Sequence, residues 1–363
     1  MKVKSCFWNS APLAIIYILW VCVFYLALGG RDDLAGWITS WAKWDSVWYQ
    51  KIWNDGYRQN LRALVFPPGY SILIGSVSRI FALKFGQAAM VVNIVSYFWG
   101  SVLAVNLLVK KFHIDRIYLF LFMLSSPVFY FVFAAYSDSV FYFLFWSILT
   151  LLERKSAGLI LKITEILLLL VAPWIRLTGY ALGVILLVGR KSGLAVFVTL
   201  LGWLGMNYML TGYVFYFLES QSKFLMREGL FLDGLRYSLM GLLPHSISNL
   251  SELVSYLQYN FLPIFYLLFL ICTAVWLLVR KQWTQSLILL AVLFVSHNQA
   301  FWRSVVRYDW LLMPFLFAML LSFAQRRGVR GVIAKVFVVN LFIAQIGLAI
   351  WFGRLFREGY WAF

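Results

Sequence analysis

The feature that most constrains this chain is a succession of apolar runs separated by short polar connections in which lysine and arginine collect at every second turn. A helix needs about 20 apolar residues to cross a bilayer, and in hydrocarbon every backbone N–H and C=O must find its partner within the protein. The runs extend approximately from Leu13 to Gly29, Ala88 to Val109, Ile117 to Phe133, Val140 to Leu152, Leu159 to Ala172, Leu177 to Val188, Leu194 to Leu210, Phe261 to Val279, Ser286 to Ser296, Leu311 to Phe323 and Val332 to Trp351. They predict an all-α polytopic membrane protein, a bundle of about eleven transmembrane helices. Composition agrees: 63% of the 363 residues are hydrophobic and 12% charged, where soluble domains average roughly half and a quarter.

Cations orient the bundle. Lys2 and Lys4, then Lys110, Lys111 and Arg116, Arg154 and Lys155, Arg190 and Lys191, Arg280 and Lys281, and Arg326, Arg327, Arg330 and Lys335 fall on one side in short connections. That side is the cytoplasm, which puts the N-terminus inside and Arg354 and Arg357 outside. The net charge of +17 is thus spent on loop marking, and nucleic acid is excluded as a partner. The Leu13–Gly29 run, with a mediocre cleavage site at Ala27-Leu28-Gly29, reads as an uncleaved first span. Phe66–Leu83 is apolar enough for a span, but it opens with FPPGY and would invert all later cation clusters, so it is assigned to an outer loop. One integral domain, 1–363, results, with large outer loops at 30–87, carrying interfacial helices, and at 211–260. Cys6, Cys22 and Cys272, like His113, His245 and His297, are scattered, so no metal site is expected and no cofactor is indicated.

Within the first outer loop, WITSWAKWDSVWYQKIWNDGY sets a lone carboxylate, Asp45, among tryptophans. At 3.6 residues per turn, Trp37, Trp41, Trp44, Trp48 and Ile52 share one face, predicting an interfacial helix with its indoles at headgroup level. A carboxylate at that depth must find partners or a proton, so Asp45 calls for a purpose.

The remaining charged residues outside the cation clusters fall mostly on the outer side. Asp138 lies in AAYSDSV, Arg176 in APWIRLTGY, Gln221 and Arg227 in YFLESQSKFLMREG, and Arg303 and Arg307 in FWRSVVRYDW. Each has a plain structural reading: Asp138 as a helix cap, Arg303 and Arg307 as side chains snorkelling to lipid phosphates. Together they suggest chemistry, because a carboxylate can take a proton from a hydroxyl nucleophile while guanidinium groups hold a phosphate leaving group. In an outer-leaflet pocket this implies glycosyl transfer from a lipid-linked sugar phosphate. A polyprenyl-phosphate or phospholipid transporter would use the same arginines, but the chain shows no internal repeat of the kind transporters carry.

At these residues the chain resembles the GPI mannosyltransferase II (PIG-V) family of the GT-C membrane glycosyltransferases. Trp44-Asp45-Ser46, with Tyr49, Ile52, Gly56 and Tyr57, is similar to its tryptophan-aspartate motif. Phe66-Pro67 with Tyr70, Pro127 with Tyr136-Ser137-Asp138, Arg176 with Gly179, Gln221 with Arg227, and Arg307-Tyr308 with Pro314 follow in the family's order. Asp138 stands where the family usually has Glu. The resemblance implies a GT-C type bundle and inverting transfer, most often of mannose, from a polyprenyl or dolichyl phosphate to a hydroxyl of a lipid-linked glycan, glycolipid or protein. It implies Asp45 as general base, Arg176, Arg227, Arg303 and Arg307 as donor-phosphate ligands, and Asp138, Gln221, Tyr49 and Tyr136 as residues orienting the substrate. A divalent metal is optional for such a transfer and is not indicated here.

Overall fold

The computed structural model describes residues 10–29, 33–154, 158–225, 231–240, 242, 249–297 and 305–360. Among them every regular element is helical, α for the most part with several 3-10 segments and one π turn at Leu257–Phe261. Among the described residues five helices are long and apolar enough to cross a membrane: Phe85–Phe112, Lys191–Thr211, Tyr259–Val279, Val305–Ala324 and Val329–Glu358. Ala11–Ala27, Asp138–Leu152, Leu177–Val188 and Trp283–His297 are apolar but shorter. Helices thus stand at the positions of the expected spans, five of them at bridging length, and the chain is an integral membrane protein. The disputed Phe66–Leu83 stretch forms helix Pro68–Ile80, whose 13 residues rise only about 20 Å, short of a bilayer's hydrocarbon core.

The chain divides into two compact units, Met1–Ser46, Ser76–Thr150 and Met313–Ala362 in one, Val47–Gly75 and Leu151–Leu312 in the other. In the first unit, helix Phe85–Phe112 packs against Arg116–Leu124, Phe129–Val132 and Met313–Ala324. The expected single span Ile117–Phe133 is broken here. Its α-helix is capped by Asp115, which accepts from Ile117 N at 2.8 Å, and stops at Leu124; after Pro127 the chain resumes only as the 3-10 turn Phe129–Val132. Proline donates no N–H and biases the preceding residue out of the α region, so a break at Ser126-Pro127 is the local answer. Carbonyls near it are met from the facing helix, where the Asn93 amide donates to Ala134 O at 2.5 Å and the Tyr97 hydroxyl to Met123 O at 2.7 Å. These donors lie one turn apart on one helix face, which Gly100 continues with an approach so close that a Cβ there would stand 2.6 Å from the Tyr142 ring.

In the second unit, Leu159–Ile175, Leu177–Val188 and Leu194–Thr211 pack on one another, and Trp283–His297 packs on Leu177–Val188 and Leu262–Val279. Leu177–Val188 is a 3-10 helix of 12 residues, well beyond the usual three or four. Within this unit, residues 47–75 pack on helix Leu194–Thr211 around a cluster of Ile52, Tyr57, Ala63, Leu64 and Trp203. Tyr57 donates to Phe66 O at 2.6 Å, and its burial, then the neighbouring Tyr49, hold its hydroxyl well above the usual phenol range, so it remains a neutral donor.

The tryptophan stretch departs from the expected continuous helix. Helix Leu34–Thr39 ends at Ser40, and a new helix, Asp45–Asp55, begins after Trp44, whose φ is +56°. The break takes the indoles off a common face. Trp37 and Trp41 are 3% and 1% exposed, packed on Tyr25, Phe133 and Phe356, whereas Trp44 is 40% exposed. Trp37 and Trp41 are therefore core residues of the first unit and not parts of a headgroup belt.

A small-residue contact offers a direct check. A Cβ on Gly75 would lie 2.0 Å from the Trp53 ring, so Gly75→Ala is expected to lower stability by about 1–3 kcal/mol. Thermal unfolding in detergent should show the loss, and Trp53→Leu in the same chain should recover part of it.

Candidate active site

The first unit holds the carboxylates. Asp45 is the first residue of helix Asp45–Asp55, and Asp138 the first of Asp138–Leu152, so each lies where a helix N-terminus favours negative charge. Asp45 is half-buried and Asp138 buried. The two helix starts are linked: the Asp45 backbone N–H donates to the Tyr136 hydroxyl at 3.2 Å, across 91 positions of sequence. Tyr136 is held in turn by Phe131, with ring centroids 5.0 Å apart, and by Phe356 at 6.1 Å. Three residues singled out from sequence, Asp45, Tyr136 and Asp138, thus belong to one neighbourhood, reached because the broken span delivers Tyr136 beside the start of the Asp45 helix.

The second unit holds the arginines. Arg176 caps Leu159–Ile175 in an extended conformation, φ −155°, and its carbonyl accepts from Gly179 N at 2.9 Å. Gly179 is required by closeness, since a Cβ there would meet the Pro173 nitrogen at 2.7 Å. Arg307 was expected in a turn preceding the span at Leu311, but the chain is already helical over Val305–Asp309, so Arg307 rides on the membrane helix Val305–Ala324 and is 6% exposed. Both guanidinium groups lie over one ring, Arg176 at 4.7 Å and Arg307 at 5.2 Å from the Tyr308 centroid. Arg307 also donates to the Tyr308 hydroxyl at 3.4 Å. A tyrosine face attracts cations through its quadrupole, an attraction that strengthens away from water, and here it brings two cations together from 131 positions apart in sequence.

Sequence reasoning did not assign a role to Tyr308, although it stands in the quoted Arg307-Tyr308 pair. Nor did it single out His297 and Asp309, which pair at 3.6 Å (Nε2 to Oδ2), both fully buried, with the His297 Nδ1 beside the Ser296 hydroxyl at 3.0 Å. Their partnership forms between two helices, which no sequence period records. Tyr49 is buried in the second unit, edge-on to Tyr70 at 4.8 Å and Phe66 at 5.3 Å. Gln221 lies in helix Tyr216–Leu225; its side chain, and the whole of Arg227 and Arg303, lie outside the described residues. Among the described residues no three His, Cys, Asp or Glu side chains gather as metal ligands would.

No protein-family model matches the chain, and no curated protein matches it. Two solved structures do: the crystal structure of ArnT from Cupriavidus metallidurans bound to undecaprenyl phosphate, 13% identical over 96% of this chain and 73% of that one with a TM-score of 0.49, and the same protein in the apo state, 13% identical over 97% and 73% with a TM-score of 0.45.

The hydrogen bond from Asp45 predicts that Tyr136→Phe costs about 0.5–1.5 kcal/mol locally. Hydrogen exchange should accelerate in the peptide that begins at Asp45, with little change in helix Val329–Glu358.

Proposed function

We propose that this protein is an inverting GT-C type glycosyltransferase that uses a polyprenyl phosphate sugar as donor and a hydroxyl of a lipid-linked glycan, glycolipid or protein as acceptor. The observation that carries the reading is the pair Arg176 and Arg307 over Tyr308. Two guanidinium groups gathered in so apolar a chain are suited to an anion with a lipid tail, and the bidentate fork of arginine matches phosphate oxygens. The ordered motifs from Trp44-Asp45 to Arg307-Tyr308 support the same reading and favour mannose as the sugar.

In this reaction Asp45 takes the proton of the acceptor hydroxyl as its oxygen attacks the anomeric carbon. The bond from that carbon to the phosphate oxygen breaks, and its electron pair leaves with the lipid phosphate. Arg176 and Arg307, with Arg227 and Arg303, neutralise the charge that develops there, the assistance a divalent cation gives in other transferases. Asp138, Gln221, Tyr49 and Tyr136 orient donor and acceptor hydroxyls. One base and a stabilised leaving group suffice, because inversion forms no covalent enzyme intermediate. The cation distribution supports a cytoplasmic N-terminus and chemistry on the extracytoplasmic side.

The test is transfer from synthetic polyprenyl-phosphate mannose to a panel of lipid, glycan and peptide acceptors by the full chain in nanodiscs. Asp45→Asn is expected to lower kcat by about 10²-fold or more while donor binding persists. Arg176→Ala and Arg307→Ala should weaken donor binding by about 1.5–3 kcal/mol each. Wild-type turnover by Asp45→Asn would remove it as the base, and donor affinity untouched by both arginine changes would remove the phosphate assignment.

A further inference from the structure

We infer that the last turn of helix Val329–Glu358 is a clamp that positions Asp45, an inference that rests on the general-base role proposed above. Between the end of helix Leu34–Thr39 and the start of Asp45–Asp55 the chain has no helical repeat to hold it, and Trp44 is in the left-handed region. The placement of Asp45 therefore depends on what grips its neighbours. Two consecutive residues of the chain's last described helix do so.

Phe356 stacks on Trp41, with centroids 5.8 Å apart and planes 19° from parallel, and meets edge-on the Tyr136 ring whose hydroxyl receives the Asp45 N–H. Arg357 Nε donates to the Ser40 hydroxyl at 2.9 Å, and that hydroxyl donates onward to Trp37 O at 2.7 Å. In return Lys43 Nζ donates to the Arg357 carbonyl, across 314 positions of sequence. The capping is reciprocal. The final carbonyls of a helix lack partners within it and form the negative end of its dipole; Lys43 meets that end of Val329–Glu358, while Arg357 reaches Ser40, the residue that closes Leu34–Thr39. Ser40, Trp41, Lys43 and, through Tyr136, Asp45 are all held to Phe356 or Arg357. An arginine that merely snorkelled to lipid phosphate would have no reason to engage Ser40. A general base must hold its place closely, since a misplacement of about 1 Å caused from a distance reduces rate on the order of 10²-fold. Ser40, Phe356 and Arg357 are thus positioning residues that act through Asp45.

The experiment measures transfer from polyprenyl-phosphate mannose by the full chain in nanodiscs, with thermal unfolding alongside, for Ser40→Ala, Arg357→Ala, Arg357→Lys, the Ser40→Ala/Arg357→Ala double variant and Asp45→Asn. Ser40→Ala and Arg357→Ala are expected to lower kcat about 10- to 100-fold with donor KM and unfolding temperature unchanged. The double variant should be no slower than Arg357→Ala, as for two ends of one interaction, and Arg357→Lys, which keeps a cationic donor, should recover most of the rate. If Asp45→Asn is inactive while both alanine variants turn over normally, the clamp is overturned and the base reading stands. Loss of rate only in proportion to loss of thermal stability also overturns the clamp. Normal turnover by Asp45→Asn overturns the base reading and the clamp with it. Should Arg357→Ala fail to accumulate, Ser40→Ala, which removes one hydroxyl, decides the question by the same criteria.

Discussion

A peptide group that loses its helical partner inside a membrane protein has no water to turn to. The interior of this protein is arranged around that constraint. The chain departs from regular α-helix at Ser126-Pro127 and Arg176 in connections between apolar segments, and at the first of these the facing helix supplies donors, Asn93 for Ala134 O and Tyr97 for Met123 O. Functional candidates gather at the interruptions because an uninterrupted apolar helix presents only side chains. A break lets a polar residue sit at a helix start, as Asp138 does, or at a helix end, as Arg176 does. Asn93 and Tyr97 are thus as much a condition of the carboxylate region as the carboxylates themselves.

The same logic governs charge. Arg307 is almost fully enclosed on a helix of the second unit, and an isolated cation in such surroundings is costly. Aromatic faces attract cations through their quadrupole, and the more so away from water. Tyr308 serves Arg176 and Arg307 in this way.

Much of this was legible in the sequence, and the limits have physical causes. Apolar runs fix helices because burial and backbone satisfaction act along the chain, and Pro173 and Gly179 mark the turn at Arg176 because their effects are local, whereas the apolar run Ile117–Phe133 reads as one span through Pro127 and the structure breaks it there. Trp44 carries no such mark: it is neither glycine nor asparagine, yet it takes the left-handed conformation, and a helical wheel drawn through it joins Trp37 and Trp41, which are buried, to Trp44, which is exposed. The start of the Arg307 helix was missed because Arg-Tyr-Asp reads as polar, although on one turn all three find partners or burial. Arg176 and Arg307 were picked out singly by their chemistry; that they share Tyr308 is a fact of three dimensions.

The shared ring also bears on how the proposed reaction would turn over. A sugar phosphodiester brings one negative charge, while the spent polyprenyl monophosphate carries nearly two at neutral pH. Two guanidinium groups set on one aromatic face would hold the dianion harder than the monoanion, so a feature that would draw such a donor in would also retard departure of what remains of it. Such an enzyme would pace itself by release of the used lipid and would respond to whatever removes that lipid from the membrane.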